Sequence, residues 1–124
     1  MSLLISALAS GSNGNCYYIG NEKEAIIIDA GITRREVEKR MDRLVLSPQK
    51  VKAIFISHEH SDHIRGLTLL SKKYNLPVYI TPQTQRFCPV PIEKHLVKSF
   101  KAFEPVLIGQ LMIKAFPKLH DACD

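Results

Sequence analysis

The sequence predicts an α/β protein built on a mixed sheet, and three observations carry that expectation. Short apolar runs at residues 3–9, Cys16–Gly20 and residues 24–28 are separated by turn formers, as in strands joined by tight connections. A segment with helical spacing opens at Thr33 behind a capping sequence. Finally, the apolar run 51–56, the helical pattern 64–74 and the apolar run Val78–Ile80 follow one another in βαβ order, which means parallel pairing.

The opening apolar run superficially resembles a leader peptide, but it lacks a basic start and leads straight into a Gly/Asn turn, so a first β-strand is expected. The turn itself, Ser10, Gly11, Ser12, Asn13, Gly14 and Asn15, consists of residues that tolerate positive φ and reads as a hairpin loop. The third apolar run ends in Asp29-Ala30-Gly31, which puts a carboxylate at a strand end beside a flexible residue, where it reads as the start of a turn. Thr33-Arg34-Arg35-Glu36 fits a capping box and Ile32 with Val37 a hydrophobic staple; Val37, Met41 and Leu44 should share the buried face, and Ser47-Pro48 should close the segment.

Residues 51–56 are almost continuously apolar, as in a strand buried on both faces, although a brief buried helix has the same pattern. Directly after Ser57 come His58, His60, Asp62 and His63, four metal-competent side chains within six residues. Residues two apart in extended chain point to one side, so His58 and His60 can reach one ion. Asp62 and His63 fall where the chain turns and could serve a second ion. Nitrogen and oxygen donors without thiolate suit zinc, and also manganese, iron, cobalt or nickel. The competing reading is a polar loop in which Asp62 caps the next helix. The density of ligands directly behind an apolar strand favours the metal.

That next helix should span residues 64–74, with Leu67, Leu70 and Tyr74 on one face and Lys72 and Lys73 complementing its carboxyl end. Residues 81–87 suggest a short helix, 88–91 are irregular, and His95 stands in a basic stretch without ligand-like neighbours, as a surface histidine. Val106–Ile108 and Leu111–Ile113 flank Gly109-Gln110 and predict a tight hairpin, the second strand running on through Phe116. Beyond it lies His120; spacing alone does not choose between His120 and His95 as a further ligand.

A chain of 124 residues makes one domain, with 45% apolar and 23% charged residues, the balance of a soluble globular protein. No apolar run approaches the roughly 18 residues of a membrane span, and a cytoplasmic protein is expected. Cys16, Cys88 and Cys123 are odd in number and show no paired spacing, so they read as ordinary thiols. A net charge of +5 suits an anionic substrate. The arginines and lysines of residues 34–43 are interleaved with acids, as on a solvated helix face.

The H-x-H-x-D-H run from His58 to His63 resembles the signature of the metallo-β-lactamase-fold hydrolases. The SGSNGNC loop, the IIIDAG strand end and the FPKLHDA segment are similar to those of its bacterial YycJ/WalJ-like branch. The resemblance implies half of an αββα sandwich and two divalent ions, zinc or manganese. His58, His60 and His120 would hold one ion and Asp62 and His63 the other. It implies further that Asp62 orients the attacking water as a catalytic residue, that Asp29 stands behind the ligands and steers one by hydrogen bonding, and that the loop Ser10 to Asn15 borders the substrate. The implied activity is hydrolysis by a metal-bound hydroxide, with phosphodiester bonds of nucleic acid as target; ester or thioester hydrolysis is the alternative within the fold. The family's bridging carboxylate and last histidine come from a second half, so the chain reads as the truncated N-terminal half, with partial metal occupancy. On that reading a catalytically silent metal-binding half-domain is a further alternative. A half-sandwich leaves one apolar sheet face bare, and self-association through it is expected.

Overall fold

The computed structural model describes residues 2–57 and 61–116. Its first three strands, β1 (Leu4–Ala9), β2 (Cys16–Gly20) and β3 (Ala25–Ile28), run antiparallel in sequence order. The turn between β2 and β3 is fixed by Asn21, whose Oδ1 accepts from the Lys23 and Glu24 amides at 2.8 and 2.9 Å.

Helix α1 (Arg34–Arg43) starts where the capping sequence places it, with the Thr33 side chain accepting from the Glu36 amide at 3.2 Å. Glu36 pairs along the helix with Arg40 at 3.2 Å. Ile32, Val37 and Met41 enter the core. Leu44 does not join that face. It is half exposed, because it ends the helix and Val45 reverses the chain at φ 57°, so that Leu46 packs inward in its stead.

One 3₁₀ turn at Pro48–Lys50 feeds β4 (Val51–Phe55), in which all residues but Lys52 are buried. The helix expected over residues 64–74 is two pieces, α2 (Ser61–Ile64) and α3 (Leu67–Tyr74). The break falls at Gly66, whose amide donates to Ala30 O at 2.7 Å; a Cβ there would stand 2.1 Å from Ile32 O. The chain bends to bond with the segment after β3. Helix α3 ends at Asn75, in left-handed conformation at φ 55°.

Next come β5 (Val78–Ile80), α4 (Pro82–Arg86) capped by Thr81, and β6 (Val97–Ser99), a strand hidden in the basic stretch. The hairpin of β7 (Val106–Ile108) and β8 (Leu111–Ile113) turns at Gly109, φ 60°. Strand β8 does not run on to Phe116: Ala115 leaves the hairpin, bridging Ala102 and accepting from the Phe103 amide at 2.9 Å.

Among the described residues, six strands form one sheet in the order β1-β2-β3-β4-β5-β6, parallel from β3 onward. The mixed sheet is therefore as the sequence predicts. One face, with Ile27, Ile54, Val78 and Ile80, packs with Val37 and Met41 of α1 and Leu67 and Leu70 of α3. The other carries Ile26, Ala53, Phe55 and Phe100, with Phe55 stacked on Tyr79 at 4.7 Å between ring centres. That second face is not bare: Leu111, Val106, Ile108 and Ile113 of the β7–β8 hairpin lie on it. Among the described residues no helix is long and apolar enough to cross a membrane.

Candidate metal centre

The candidate site forms where the parallel strands β3 and β4 end, the edge at which α/β sheets place their ligands. Asp29 follows β3 with φ 64°, a conformation Asp tolerates better than most residues, while its amide donates to Phe55 O at 2.8 Å. The residue is buried, 3% exposed, and its carboxylate is engaged by three donors. Ser57 gives it two hydrogen bonds, from the amide to Oδ1 at 2.7 Å and from Oγ to Oδ2 at 2.6 Å. His63 Nδ1 stands 2.7 Å from the same Oδ2.

A carboxylate only accepts, so His63 Nδ1 carries the proton of that contact. Neutral imidazole then presents its lone pair at Nε2, the tautomer that a carboxylate behind a metal-binding histidine enforces. Asp62 Oδ2 lies 3.5 Å from this Nε2. Two donors each about 2.0–2.2 Å from one tetrahedral ion stand about 3.3–3.6 Å apart, so the pair fits a shared ion.

Main-chain bonds set the corner rigidly. Ala30 N donates to His63 O at 2.7 Å, Asn15 N to Asp62 O at 2.7 Å, and Gly31 N to Asn15 O at 2.8 Å. The approach is so close that a Cβ on Gly31 would fall 1.8 Å from Asp62 O. The Asp29-Ala30-Gly31 end is thus shaped by α2. Asn15 adds side-chain bonds, Nδ2 standing 3.2 Å from Asp62 Oδ2 and 3.1 Å from Gly11 O. In the same loop Ser10, Ser12 and Asn13 are at least partly solvent-accessible, and Arg65 reaches Asn13 O at 3.5 Å.

Of the residues assigned to the site from sequence, the structure brings together Asp29, Asp62, His63 and the loop at Asn15. His58, His60 and His120 lie outside the described residues, as does Cys123. His95 is a surface side chain beside Asn75 and Glu93. Cys16 is fully buried, and burial, followed by the nearby Asp29 charge, pushes its thiol up to about 12, far from any nucleophile's range. Sequence reasoning missed Ser57, which holds Asp29 by two bonds; a hydroxyl residue between an apolar strand and a histidine cluster was its only signal. It also missed that Asn15 touches Asp62, a contact across 47 positions.

A mixed sheet with a carboxylate-backed histidine and an aspartate converging at its strand ends defines an α/β protein with a candidate metal-binding edge. Comparison with known proteins makes the class specific. The chain belongs to the metallo-beta-lactamase superfamily, whose family model matches residues 9–117. It is 33% identical over its whole length to the exodeoxyribonuclease YycJ of Bacillus anthracis, covering 48% of that protein. To the exodeoxyribonuclease WalJ of Streptococcus pneumoniae it is 32% identical, over 94% of this chain and 45% of that protein. The chain therefore spans about half the length of these curated relatives. Among solved structures, the Rm3 metallo-beta-lactamase superposes with a TM-score of 0.76 at 18% identity, over 90% of this chain and 48% of that one, a likeness of fold.

Proposed function

We propose that this chain carries the first-half metal edge of a metal-dependent nuclease, acting on phosphodiester bonds of nucleic acid. The observation that carries the reading is the Asp62–His63 corner, 3.5 Å across with His63 Nδ1 clasped by buried Asp29. Its support is the similarity to proteins named as exodeoxyribonucleases, together with the divalent metals that the superfamily generally binds. His58, His60 and His120 would hold one ion, Asp62 and His63 a second, with zinc or manganese fitting the nitrogen and oxygen donors. Bound there, the ions supply Lewis acidity toward a phosphoryl oxygen and acidify water. Around them the chain's own groups act on position: Asp29 holds the His63 tautomer, Asp62 orients water, and the loop Ser10 to Asn15 borders the substrate. Positive net charge draws the polyanion in.

Because the chain spans about half the length of its curated relatives, we expect the 124-residue chain to retain fewer than two ions after dialysis and to cleave little. Elemental analysis and manganese-dependent cleavage of DNA and RNA check both; robust cleavage abolished by His58→Ala would show that the site is complete. Fluorescence anisotropy with labelled DNA tests the substrate class. Affinity should fall steeply with salt, and an affinity indifferent to salt would sink it. A cytoplasmic location accords with such a substrate. Leu107 and Met112, cross-strand partners on the outer hairpin face and 69% and 62% exposed, are where we place self-association, which light scattering reads.

A further inference from the structure

We propose that Asn15 is a positioning residue that locks the Asp62 carboxylate to the glycine-rich loop, so that the metal-facing pose of Asp62 and the placement of the substrate loop are set by one side chain. The inference rests on the metal reading of Asp62 and goes beyond it. Asn15 Nδ2 lies 3.2 Å from Asp62 Oδ2, 3.3 Å from Asp62 O and 3.1 Å from Gly11 O, while its Oδ1 accepts from the Gly11 amide at 3.3 Å. Its main chain is fixed independently, the amide donating to Asp62 O and the carbonyl accepting from Gly31. The side chain therefore starts from a rigid base and spans two segments.

Only an amide meets both demands, because it donates to a carboxylate and a carbonyl while accepting from an amide N–H. A serine is too short to reach both ends, and an aspartate would oppose two carboxylates. The oxygen that Asn15 engages is the one 3.5 Å from His63 Nε2, so the amide acts on the atom that faces the shared ion. Asp62 has 29% of its side chain exposed, which leaves room for its carboxylate to swing toward water when the amide is removed. Hydrogen-bond partners of metal ligands are worth about 10–100-fold in affinity.

A double-mutant cycle on manganese binding, measured by calorimetry with the 124-residue chain, isolates this role. Asn15→Ala should raise the manganese Kd about tenfold in the native background and by less than about twofold in an Asp62→Ala background. The same loss in both backgrounds would mean that Asn15 acts through the loop alone, and overturns the proposal. So does an unchanged Kd in Asn15→Ala while Asp62→Ala weakens binding. If Asp62→Ala itself leaves the Kd unchanged, the metal reading fails and takes the proposal with it, an outcome distinct from the other two. Asn15→Ser keeps a loop-forming residue and is expected to repeat the Asn15→Ala result, should the alanine variant not fold.

Discussion

Asp29 concentrates the chemistry of the site in one carboxylate. Its backbone takes φ 64°, its side chain is buried, and Ser57 and His63 both spend polar atoms on it. Asp29→Ala should remove three hydrogen bonds to a buried carboxylate, costing about 1–3 kcal/mol in urea unfolding, and should weaken manganese binding about 10–100-fold through loss of the His63 tautomer. Unchanged binding would separate Asp29 from the ion. A second carboxylate, Glu38, plays a purely structural part. Burial works against its ionisation, yet hydrogen bonds from Lys73 and Tyr74 and the Arg34 guanidinium hold its carboxyl below the usual 4.5. A lowered folded pKa gives stability that is present above the unfolded pKa and lost as pH falls through the folded value. Glu38→Gln should therefore be less stable than the native chain at pH 7, and the gap should close below about pH 4. Unfolding curves at the two pH values check it.

At the scale of elements, what the sequence makes legible is what is decided locally. Thr33 announces α1 because its hydroxyl serves an amide three residues away, and the β7–β8 turn follows from Gly109 and its apolar flanks. The break between α2 and α3 was not readable, since its cause is the carbonyl of Ala30, and nothing around Gly66 reveals that partner. Strand β6 escaped for a related reason: Lys98 and Ser99 face solvent, so parallel pairing with β5 identifies it where apolar pattern cannot. Within the site, the histidine-rich run was visible as a cluster, but the pairing of Asp29 with His63 across 34 positions was not a matter of spacing. Close approach between elements carries its own prediction. Gly31→Ala would drive a methyl into Asp62 O and Asn15 N, so α2 must shift away from the β3 end. The expected cost is about 1–3 kcal/mol, with faster hydrogen exchange at the Asn15 and Ala30 amides, which bond to α2. Native exchange there would mean the corner tolerates displacement.

For the whole molecule, the sheet divides the core into two unequal halves, and neighbouring residues of β4 sample one each. Ile54 is fully buried on the face covered by α1 and α3, helices whose buried side chains are continuous with most of the core. Phe55 points the other way, stacked on Tyr79 and meeting Phe100 edge-on with ring centres 5.1 Å apart, beneath the β7–β8 hairpin. A two-stranded hairpin is marginal by itself, so its order derives from this contact. Truncating Ile54 to alanine leaves a cavity between rigid layers that cannot close and should cost about 2–5 kcal/mol, felt by the molecule as a unit. Phe55→Ala removes more surface, but its cover can collapse or lift. Its global cost should fall at or below the low end of the roughly 3–5 kcal/mol range for such a change, while amides of β7 and β8 lose exchange protection before those of α1. Urea unfolding with residue-resolved hydrogen exchange distinguishes the two variants. If Phe55→Ala unprotects α1 and the hairpin together, the two faces form one cooperative core, and the hairpin is not the lightly held cover that its packing describes.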